Sequence, residues 1–533
     1  MDSSRTVFAP ALRAPKPLPA TRLLNLGTAP LRRPVFLFFA FIYLYSFPYF
    51  DRLRSANEMP RILMTQEIVE RGTCRIDARV SEMSSTFDTS RGVDGHLYSN
   101  KAPGPSFVAV PAYAVLKLVG QTSMKVSTWA FRVFAVTLPA LLFLFFFYRL
   151  AGRFAMDESA RCLALVAYAL GSSAFPYSIL FMSHQLASVC LGGGFVAAVT
   201  LARDNPRRPK LLALLVGGLC AAAVLMDYQT LFIAPLVGFY TLVRAKKRLR
   251  NLTLMVAGAI PFAVALGAYH TIYFGSPLTT PLTSSNETAV QSGFMGLIGP
   301  NWNALFVLLF DPSNGLFVLM PWVIFAILGF GAVMSGREGR RRAGAEAVLC
   351  LLVFVVYVVL LGSLVPNYAR AGWAVGPRYL GAAFPFIGWL AAAGFGAAYR
   401  WFATRVLAQG LVIAAAVIYV AAVTTFPHWP DGLKSPLYEL TFRLVYHGYS
   451  PYSLATALGL WGIWAQLPLY LVAFAFVAWL LQRGQKRGVL AFALACLVAA
   501  GVLASYRAFP LTGPYAQHAW GFVTGIWEPT NKW

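Results

Sequence analysis

The residues best suited to chemistry are concentrated in one polar stretch near the start of the chain, residues 51–105. It ends in the sequence YSNKAPG, in which Lys101 stands between polar residues and a Pro/Gly turn. Carboxylates can remove a proton from a substrate, and a lysine can neutralise an anion. We therefore expect a reaction site here, the alternative being a solvated loop whose charges only keep it soluble. The stretch holds eight of the 20 acidic residues of the chain, namely Asp51, Glu58, Glu67, Glu70, Asp77, Glu82, Asp88 and Asp94.

The rest of the chain consists mainly of apolar segments that must position this stretch. Of the 533 residues, 58% are hydrophobic and 12% are charged, whereas a soluble domain has roughly 25% charged residues. Since a helix needs about 20 apolar residues to cross a bilayer, the sequence predicts an all-α polytopic membrane protein with about 13 transmembrane helices. The predicted crossings lie near residues 34–50, 130–148, 162–180, 186–202, 210–226, 230–243, 252–273, 316–335, 344–364, 377–399, 406–425, 457–481 and 488–505.

Basic residues predict the orientation of these helices. The net charge is +24, and the basic residues form short clusters between apolar segments, as expected of cytoplasmic loops and not of a nucleic-acid-binding surface. This orientation predicts a cytoplasmic tail (1–33), a membrane domain (34–505) with an external loop (51–128), and an external C-terminal tail (506–533). The apolar residues 103–119 then lie along the membrane surface, because a crossing there would place every later cluster outside.

The same orientation gathers unusual polar residues at the external helix ends, among them His184, Asp227, Arg378 and His428. The opposite ends carry mostly Lys and Arg. Ionisable residues at membrane depth are usually functional. We therefore expect these external ends to converge on one site.

Six segments, spread over most of the chain, carry a family resemblance: NEMPRILMTQEIVERGT at 57–73, GHLYSNKAPG at 95–104, FMSHQLA at 181–187, LMDYQT at 225–230, YFGSPL at 273–278 and GWAVGPRYL at 372–380. In this order they resemble the GT-C glycosyltransferases. The most similar group is glycosyltransferase family 39, with the bacterial aminoarabinose transferases and the protein O-mannosyltransferases. Two positions depart from that family. Asn57-Glu58 stands in place of Asp-Glu, and Lys101-Ala102-Pro103 in place of Lys-Pro-Pro.

The resemblance implies a GT-C fold and an inverting transfer of a sugar from a polyprenyl-phosphate donor to a lipid, glycan or protein acceptor. The site would lie on the external face of a bacterial inner membrane, among membrane lipids. In this reading Glu58 or Asp51 is the general base, and Lys101 and Arg378, with Arg61, bind the donor phosphate. The acceptor pocket is expected to contain Asn57, His184, Asp227 and Tyr98.

Other interpretations of the same residues stay open at this point. Glu58 could pair with Arg61 or Arg54 in a purely structural contact, and Lys101 or Arg378 could be a membrane anchor. Carboxylates and water could hold Mg²⁺ or Mn²⁺, although no spacing requires a metal. The whole protein could instead be a transporter or flippase of lipid-linked envelope precursors that performs no glycosyl transfer.

Overall fold

The computed structural model describes residues 32–53, 55–83, 85–366 and 372–527. The tail before residue 32 and Arg54 therefore lie outside the described residues. The longer helices are Arg32–Tyr45, Met59–Arg71, Gly104–Leu118, Met124–Phe154 (π-helical over Phe131–Thr137), Glu158–Ala169, Ser183–Arg203, Pro209–Met226, Ala234–Arg244, Arg248–Phe274, Trp302–Leu309, Ile324–Ser335, Arg337–Leu361, Arg378–Ala398 (3-10 over Arg378–Ala383), Phe402–Thr424, Ile463–Gln482, Gly488–Ser505 and Pro514–Gly525. Short helical turns are Asp77–Glu82, Ala174–Tyr177, Tyr228–Phe232, Pro281–Ser284, Thr288–Gln291, Leu316–Leu319, Pro321–Val323, Leu437–Thr441, Phe442–Tyr446, Leu454–Ala457 and Tyr506–Ala508.

The prediction of an all-α polytopic membrane protein is confirmed. Within the described ranges, nine helices are long and apolar enough to cross a membrane, and shorter apolar helices occupy Pro34–Tyr45, Gly104–Leu118 and Pro321–Ser335. The number of crossings, about 13 from the sequence, stays a prediction.

The predicted crossing at 162–180 is interrupted. Its helix ends at Ala169, and a short turn leads into Ala174–Tyr177. Ser172 lies in this break, where its hydroxyl donates to the Tyr168 carbonyl (2.6 Å) and accepts from the Ala174 amide (3.1 Å). Such local side-chain bonds compete with continued helix formation.

The helix Gly104–Leu118 has 15 residues, so it is about 22 Å long, shorter than the hydrocarbon core of a bilayer. It packs against Met59–Arg71 through two hydroxyls. Thr65 donates to the Ser106 carbonyl (3.3 Å), and Ser106 donates to the Arg61 carbonyl (3.1 Å). Its length suits the surface location predicted for 103–119.

The one sheet in the described part of the chain is a hairpin of Thr89–Arg91 and Leu97–Ser99, in which Ser90 is paired with Tyr98. A later loop joins it. The Asn286 amide donates to the Thr89 carbonyl (2.9 Å), and the Ser90 hydroxyl donates to the Pro281 carbonyl (2.5 Å). These bonds bring residues almost 200 positions apart in sequence to one end of the helix bundle.

The helix Ser183–Arg203 shows how polar groups are distributed between the two ends of the bundle. At its start, the Ser183 hydroxyl contacts Arg61 and Asp227. At its end, Arg203 pairs with the buried carboxylate of Glu346 (2.8 and 2.9 Å). The start of this helix thus contacts an arginine and an aspartate, and its end carries an arginine–glutamate pair; the convergence of polar residues on one site stays a prediction.

The C-terminal segment folds back onto this same end. Arg52 donates to the Gly525 carbonyl (3.1 Å), and the Trp527 ring packs against Phe50 and Phe426 with centroids 4.8 and 5.4 Å away. The described part of the predicted tail 506–533 is therefore packed against the loop 51–128. Residues 528–533 lie outside the described ranges.

Candidate functional site

A cavity of about 680 Å³ opens at the end of the bundle where the loop 51–128, the loop after Arg248–Phe274 and the C-terminal segment meet. Aromatic, acidic, basic and small polar side chains all contribute to its wall. The lining residues are Leu53, Ser55, Ala56, Asn57, Ser85, Phe87, Asp88, Lys101, Glu287, Thr288, Ala289, Ser292, Val365, Gly372, Trp373, Arg378, Tyr379, His428, Asp431 and Phe522.

Lys101 is held in the cavity wall by two carboxylates. Its Nζ atom lies 2.7 Å from Asp88 Oδ1 and 3.6 Å from Glu287 Oε2. Burial opposes the charged form, but Asp88 and Glu287 outweigh it and hold the pKa of Lys101 above its usual value. Lys101 is therefore a cation at neutral pH.

The hairpin and the later loop fix the two acids. Asn100 donates its amide nitrogen to the Asp88 carbonyl (3.3 Å) and its side-chain nitrogen to the Ser285 hydroxyl (2.8 Å). The Ser285 hydroxyl also accepts from the Glu287 amide (3.1 Å). One asparagine thus links the backbones that present both carboxylates to Lys101.

Arg378 is the second cation of the wall. It is buried, begins the helix Arg378–Ala398, and lies over the Tyr379 ring with 5.3 Å between the guanidinium and the ring centroid. Within the described part of the chain it forms no ion pair with a carboxylate, and its Nε atom has no hydrogen-bond partner. Arg378 is therefore a fixed cation with spare donor capacity beside the cavity.

Asn57 also lines the cavity, and Arg61 lies behind it. Arg61 Nη1 donates to the side-chain oxygen of Asn57 (2.6 Å) and to its carbonyl (2.5 Å), and Nη2 donates to the Ser183 hydroxyl (3.2 Å). Burial lowers the pKa of Arg61 to about 10, against the opposing effect of Asp88 and Asp227. Arg61 orients Asn57 and remains charged, but it is not part of the cavity lining.

His184 and Asp227 form a buried pair behind the wall. His184 Nδ1 lies 2.9 Å from Asp227 Oδ2, which also accepts from the Ser183 hydroxyl at 3.4 Å. The His184 ring meets the Tyr379 ring edge-on, with centroids 5.5 Å apart. The pair therefore packs against Tyr379 through His184 and is linked to Arg61 through the Ser183 hydroxyl.

Glu58 lies outside the large cavity, in a buried ion pair with Arg132. Arg132 donates Nε to Oε1 (2.9 Å) and Nη2 to Oε2 (2.7 Å), and the Phe181 amide also donates to Oε1 (2.7 Å). Burial would raise the pKa of Glu58, but Arg132 outweighs it and the pKa is lowered. Of the two partners suggested by the sequence, Arg61 does not pair with Glu58, and Arg54 lies outside the described residues. The pair joins the first loop to the helix Met124–Phe154.

Asp51 and Tyr98 are also absent from the cavity lining. Asp51 is half-buried in a bend before Met59–Arg71. The Tyr98 hydroxyl donates to Asp94 Oδ2 (2.6 Å), and its ring packs 4.7 Å from that of Tyr273. Tyr98 thus stabilises the hairpin that carries Asp88 and Lys101.

His428 lies between Glu58 and the cavity. Burial lowers its pKa to about 4; Glu58 opposes this shift, while Arg132 and Arg378 add to it. His428 is therefore neutral at pH 7. It lines both the large cavity and a much smaller one that includes Glu58.

The sequence did not single out four lining residues that the structure places in the cavity: Asp88, Glu287, Trp373 and Asp431. Asp88 was one of eight acids in its loop with nothing to distinguish it. Glu287 lies in a short Asn-Glu-Thr sequence, Trp373 lies in the segment GWAVGPRYL, whose resemblance points to Arg378, and Asp431 lies in another loop. Nothing local marks Asp88, Glu287 or Asp431 as cavity residues, because long-range contacts bring them together.

A search for groups of three or more His, Cys, Asp or Glu residues that could hold a metal finds none among the described residues. Lys101 Nζ occupies the space between Asp88 and Glu287, the two cavity acids with which it pairs. In this structure the two carboxylates therefore bind the lysine ammonium group. The hypothesis of a divalent metal stays a prediction.

No family model matches the chain, and no curated protein matches it significantly. Among solved structures, ArnT from Cupriavidus metallidurans, solved bound to undecaprenyl phosphate, aligns over 92% of this chain and 76% of its own, with 14% identity and a TM-score of 0.46. Arabinosyltransferase EmbB from Mycobacterium smegmatis aligns over 94% of this chain and 43% of its own, with 13% identity and a TM-score of 0.43. This chain thus spans less than half of EmbB.

At these identities and TM-scores, neither match bears on the activity of this chain.

Proposed function

We propose that the protein is a membrane glycosyltransferase of the GT-C type. It moves a sugar from a polyprenyl-phosphate donor to a lipid, glycan or protein acceptor on the external face of a bacterial inner membrane. Support comes from the motif segments, since NEMPRILMTQEIVERGT, GHLYSNKAPG and GWAVGPRYL contribute Asn57, Lys101 and Arg378 to one cavity.

The observation that carries the proposal is the pair of cations, Lys101 and Arg378, in the wall of that cavity. An arginine suits two-point contact with phosphate oxygens, and a lysine acts as a point charge. Arg378 also stands at the start of a helix, where the backbone adds positive potential. A phosphate anchored there leaves the sugar in the polar cavity and the prenyl chain free to enter the bilayer.

Besides the donor, the reaction needs an acceptor hydroxyl and a general base. The acceptor hydroxyl attacks the anomeric carbon from the face opposite the phosphate, and a base takes the hydroxyl proton. The anomeric C–O bond breaks, and its electron pair leaves on the phosphate. Lys101 and Arg378 stabilise the negative charge that develops there.

We propose Asp88 as the base in place of Glu58 or Asp51. Both Glu58 oxygens are hydrogen-bonded away from the cavity, and Asp51 does not line it. Asp88 does line it and is neutralised by Lys101. When a donor phosphate takes Lys101 as its counter-ion, Asp88 becomes free to accept a proton.

The remaining predicted site residues have supporting roles in this proposal. Asn57, oriented by Arg61, can donate to a substrate oxygen from the cavity wall. The His184–Asp227 pair positions Tyr379, and Tyr98 fixes the hairpin. If Mg²⁺ or Mn²⁺ takes part, it must displace Lys101 from Asp88 and Glu287. Activity that is lost in EDTA and restored by either ion would show a metal requirement.

The test is transfer by purified protein in detergent. Polyprenyl phosphates carrying different radiolabelled sugars are incubated with the protein and a membrane-lipid or glycan extract. We expect label to move from one donor to an acceptor, and to stop doing so in Lys101→Ala. If intact lipid-linked sugar instead moves across the membrane of proteoliposomes without glycosyl transfer, the transporter or flippase function is favoured.

A further inference from the structure

Trp373 has an unusual backbone conformation for a bulky residue. Its φ is 54°, in the left-handed region, and its side chain is 36% exposed. Four other described non-glycine residues have positive φ, and none of them lines the cavity: Asn205, Lys247, Met295 and Arg487. A large side chain persists in this region only where its surroundings impose it, and such positions cluster at functional sites.

A carboxylate from another loop holds this conformation. The Trp373 amide donates to Asp431 Oδ1 (3.2 Å), and Trp373 and His428 line the same cavity wall. Asp431 is fixed in turn, because its carbonyl accepts from the Tyr515 hydroxyl (2.8 Å). At position 372, an added Cβ would lie 2.4 Å from Asp431 Oδ2, so glycine there permits the approach of the carboxylate.

The indole ring of Trp373 packs against two other rings and stays partly exposed to solvent. Its centroid lies 5.6 Å from that of Phe522 and 6.5 Å from that of Phe426, both near-perpendicular contacts. The ring also lines the cavity that contains Lys101 and Arg378. The cavity therefore combines two wall cations with an accessible aromatic surface that packs against two other rings.

We propose that Trp373 is a stacking platform for the apolar C–H face of a sugar ring, and that Asp431 is the residue that positions it. This inference rests on the proposed function and specifies how the cavity holds its substrate. The cations anchor the phosphate, and a broad aromatic surface gives a neutral, multiply hydroxylated ring the apolar contact that charged groups cannot. The sugar belongs either to the donor or to an acceptor glycan.

Binding of two lipids tests the platform: a polyprenyl phosphate that carries the transferred sugar, and the same polyprenyl phosphate without sugar. We expect Trp373→Ala to weaken binding of the sugar-bearing lipid about tenfold and to leave binding of the sugar-free lipid unchanged, with Trp373→Phe in between. Trp401→Ala is the matched control, since Trp401 is 71% exposed and outside the cavity.

Initial rates separate the two sources of the sugar. A raised KM for the acceptor, with donor affinity unchanged, assigns the platform to an acceptor glycan. If Trp373→Ala weakens the binding of both lipids equally, the ring contacts the prenyl phosphate and not the sugar. If neither lipid affinity nor the KM for the acceptor changes, the ring contacts no substrate. Either result overturns the inference. If Trp373→Ala selectively weakens binding of the sugar-bearing lipid while the wild-type protein shows no transfer activity, the proposed function is overturned and the platform stands.

Asp431 is tested by its own pair of variants. Asp431→Asn retains an oxygen that accepts from the Trp373 amide, whereas Asp431→Ala does not. We expect Asp431→Ala to reproduce the binding defect of Trp373→Ala and Asp431→Asn to restore near-normal binding. Equal defects in both variants, at an unchanged thermal midpoint, would show that the charge of Asp431 matters and not its positioning bond.

Discussion

Lys101 Nζ lies 2.7 Å from Asp88 Oδ1 in the wall of the large cavity. The two residues are 13 positions apart, and a β-turn of the hairpin separates them. Both are nearly buried, and Glu287 and Arg378 share the cavity with them. In the proposed function, an entering donor phosphate would replace Asp88 as the partner of Lys101, and donor binding would thereby release the base.

Removal of either cation should impair donor use. A hydrogen bond to a charged group contributes roughly 1.5–3 kcal/mol, so we expect Lys101→Ala and Arg378→Ala each to weaken donor affinity about ten- to a hundredfold. Titration of the purified variants with polyprenyl phosphate measures the effect. Lys434→Ala is the control, because Lys434 is exposed and outside the cavity. Wild-type affinity and turnover in both variants would make Lys101 and Arg378 membrane anchors.

Loss of the base should affect turnover more than binding. We expect Asp88→Asn to lower kcat roughly 10²–10⁴-fold, the usual contribution of a general base, while donor affinity stays within a few-fold of wild type. Asp51→Asn is the comparison, since Asp51 is an acid of the same loop outside the cavity lining. An active Asp88→Asn together with an inactive Asp51→Asn would reverse this assignment.

Glu58→Gln should act mainly on stability. It leaves Arg132 buried without a counter-charge, and breaking a buried ion pair in this way costs roughly 3–5 kcal/mol. Thermal unfolding in detergent should show a lowered midpoint, and Glu58→Gln combined with Arg132→Met should be less destabilised than the sum of the single variants. A Glu58→Gln protein with the wild-type midpoint and no turnover would restore Glu58 as the candidate base.

His428 should make the protein less stable in mild acid. Its folded pKa of about 4 is below the usual value near 6.5. Between these two pH values the unfolded chain binds a proton that the folded protein does not, so stability falls as the pH falls, by about 1.4 kcal/mol per pH unit.

Thermal midpoints measured from pH 7 to pH 5 should decrease for the wild type and decrease less for His428→Gln. Identical pH profiles for the two proteins would show that folding does not lower the pKa of His428.

Reporter fusions test the predicted orientation. A fusion near residue 90, in the hairpin beside the cavity, should be external, and a fusion near residue 247, after a basic cluster, should be cytoplasmic. If both reporters lie on the same side, the orientation and the external site fail together.

The sequence by itself determined the class of fold, because long apolar segments must form helices when their backbone polar groups have no water to bind. It also indicated which end of the bundle collects the unusual polar residues. The family motifs selected Asn57, Lys101 and Arg378, which do share one cavity.

Only the tertiary structure decided which acids face that cavity. Glu58 follows Asn57 directly, yet it turns to Arg132, 74 residues away, while Asp88 and Glu287 converge on Lys101. Local sequence cannot fix such partners, since a buried charge pairs with whatever opposite charge the helix packing brings near. The left-handed Trp373 likewise depends on Asp431, 58 residues away, because only a contact from another loop can hold a bulky residue in that conformation.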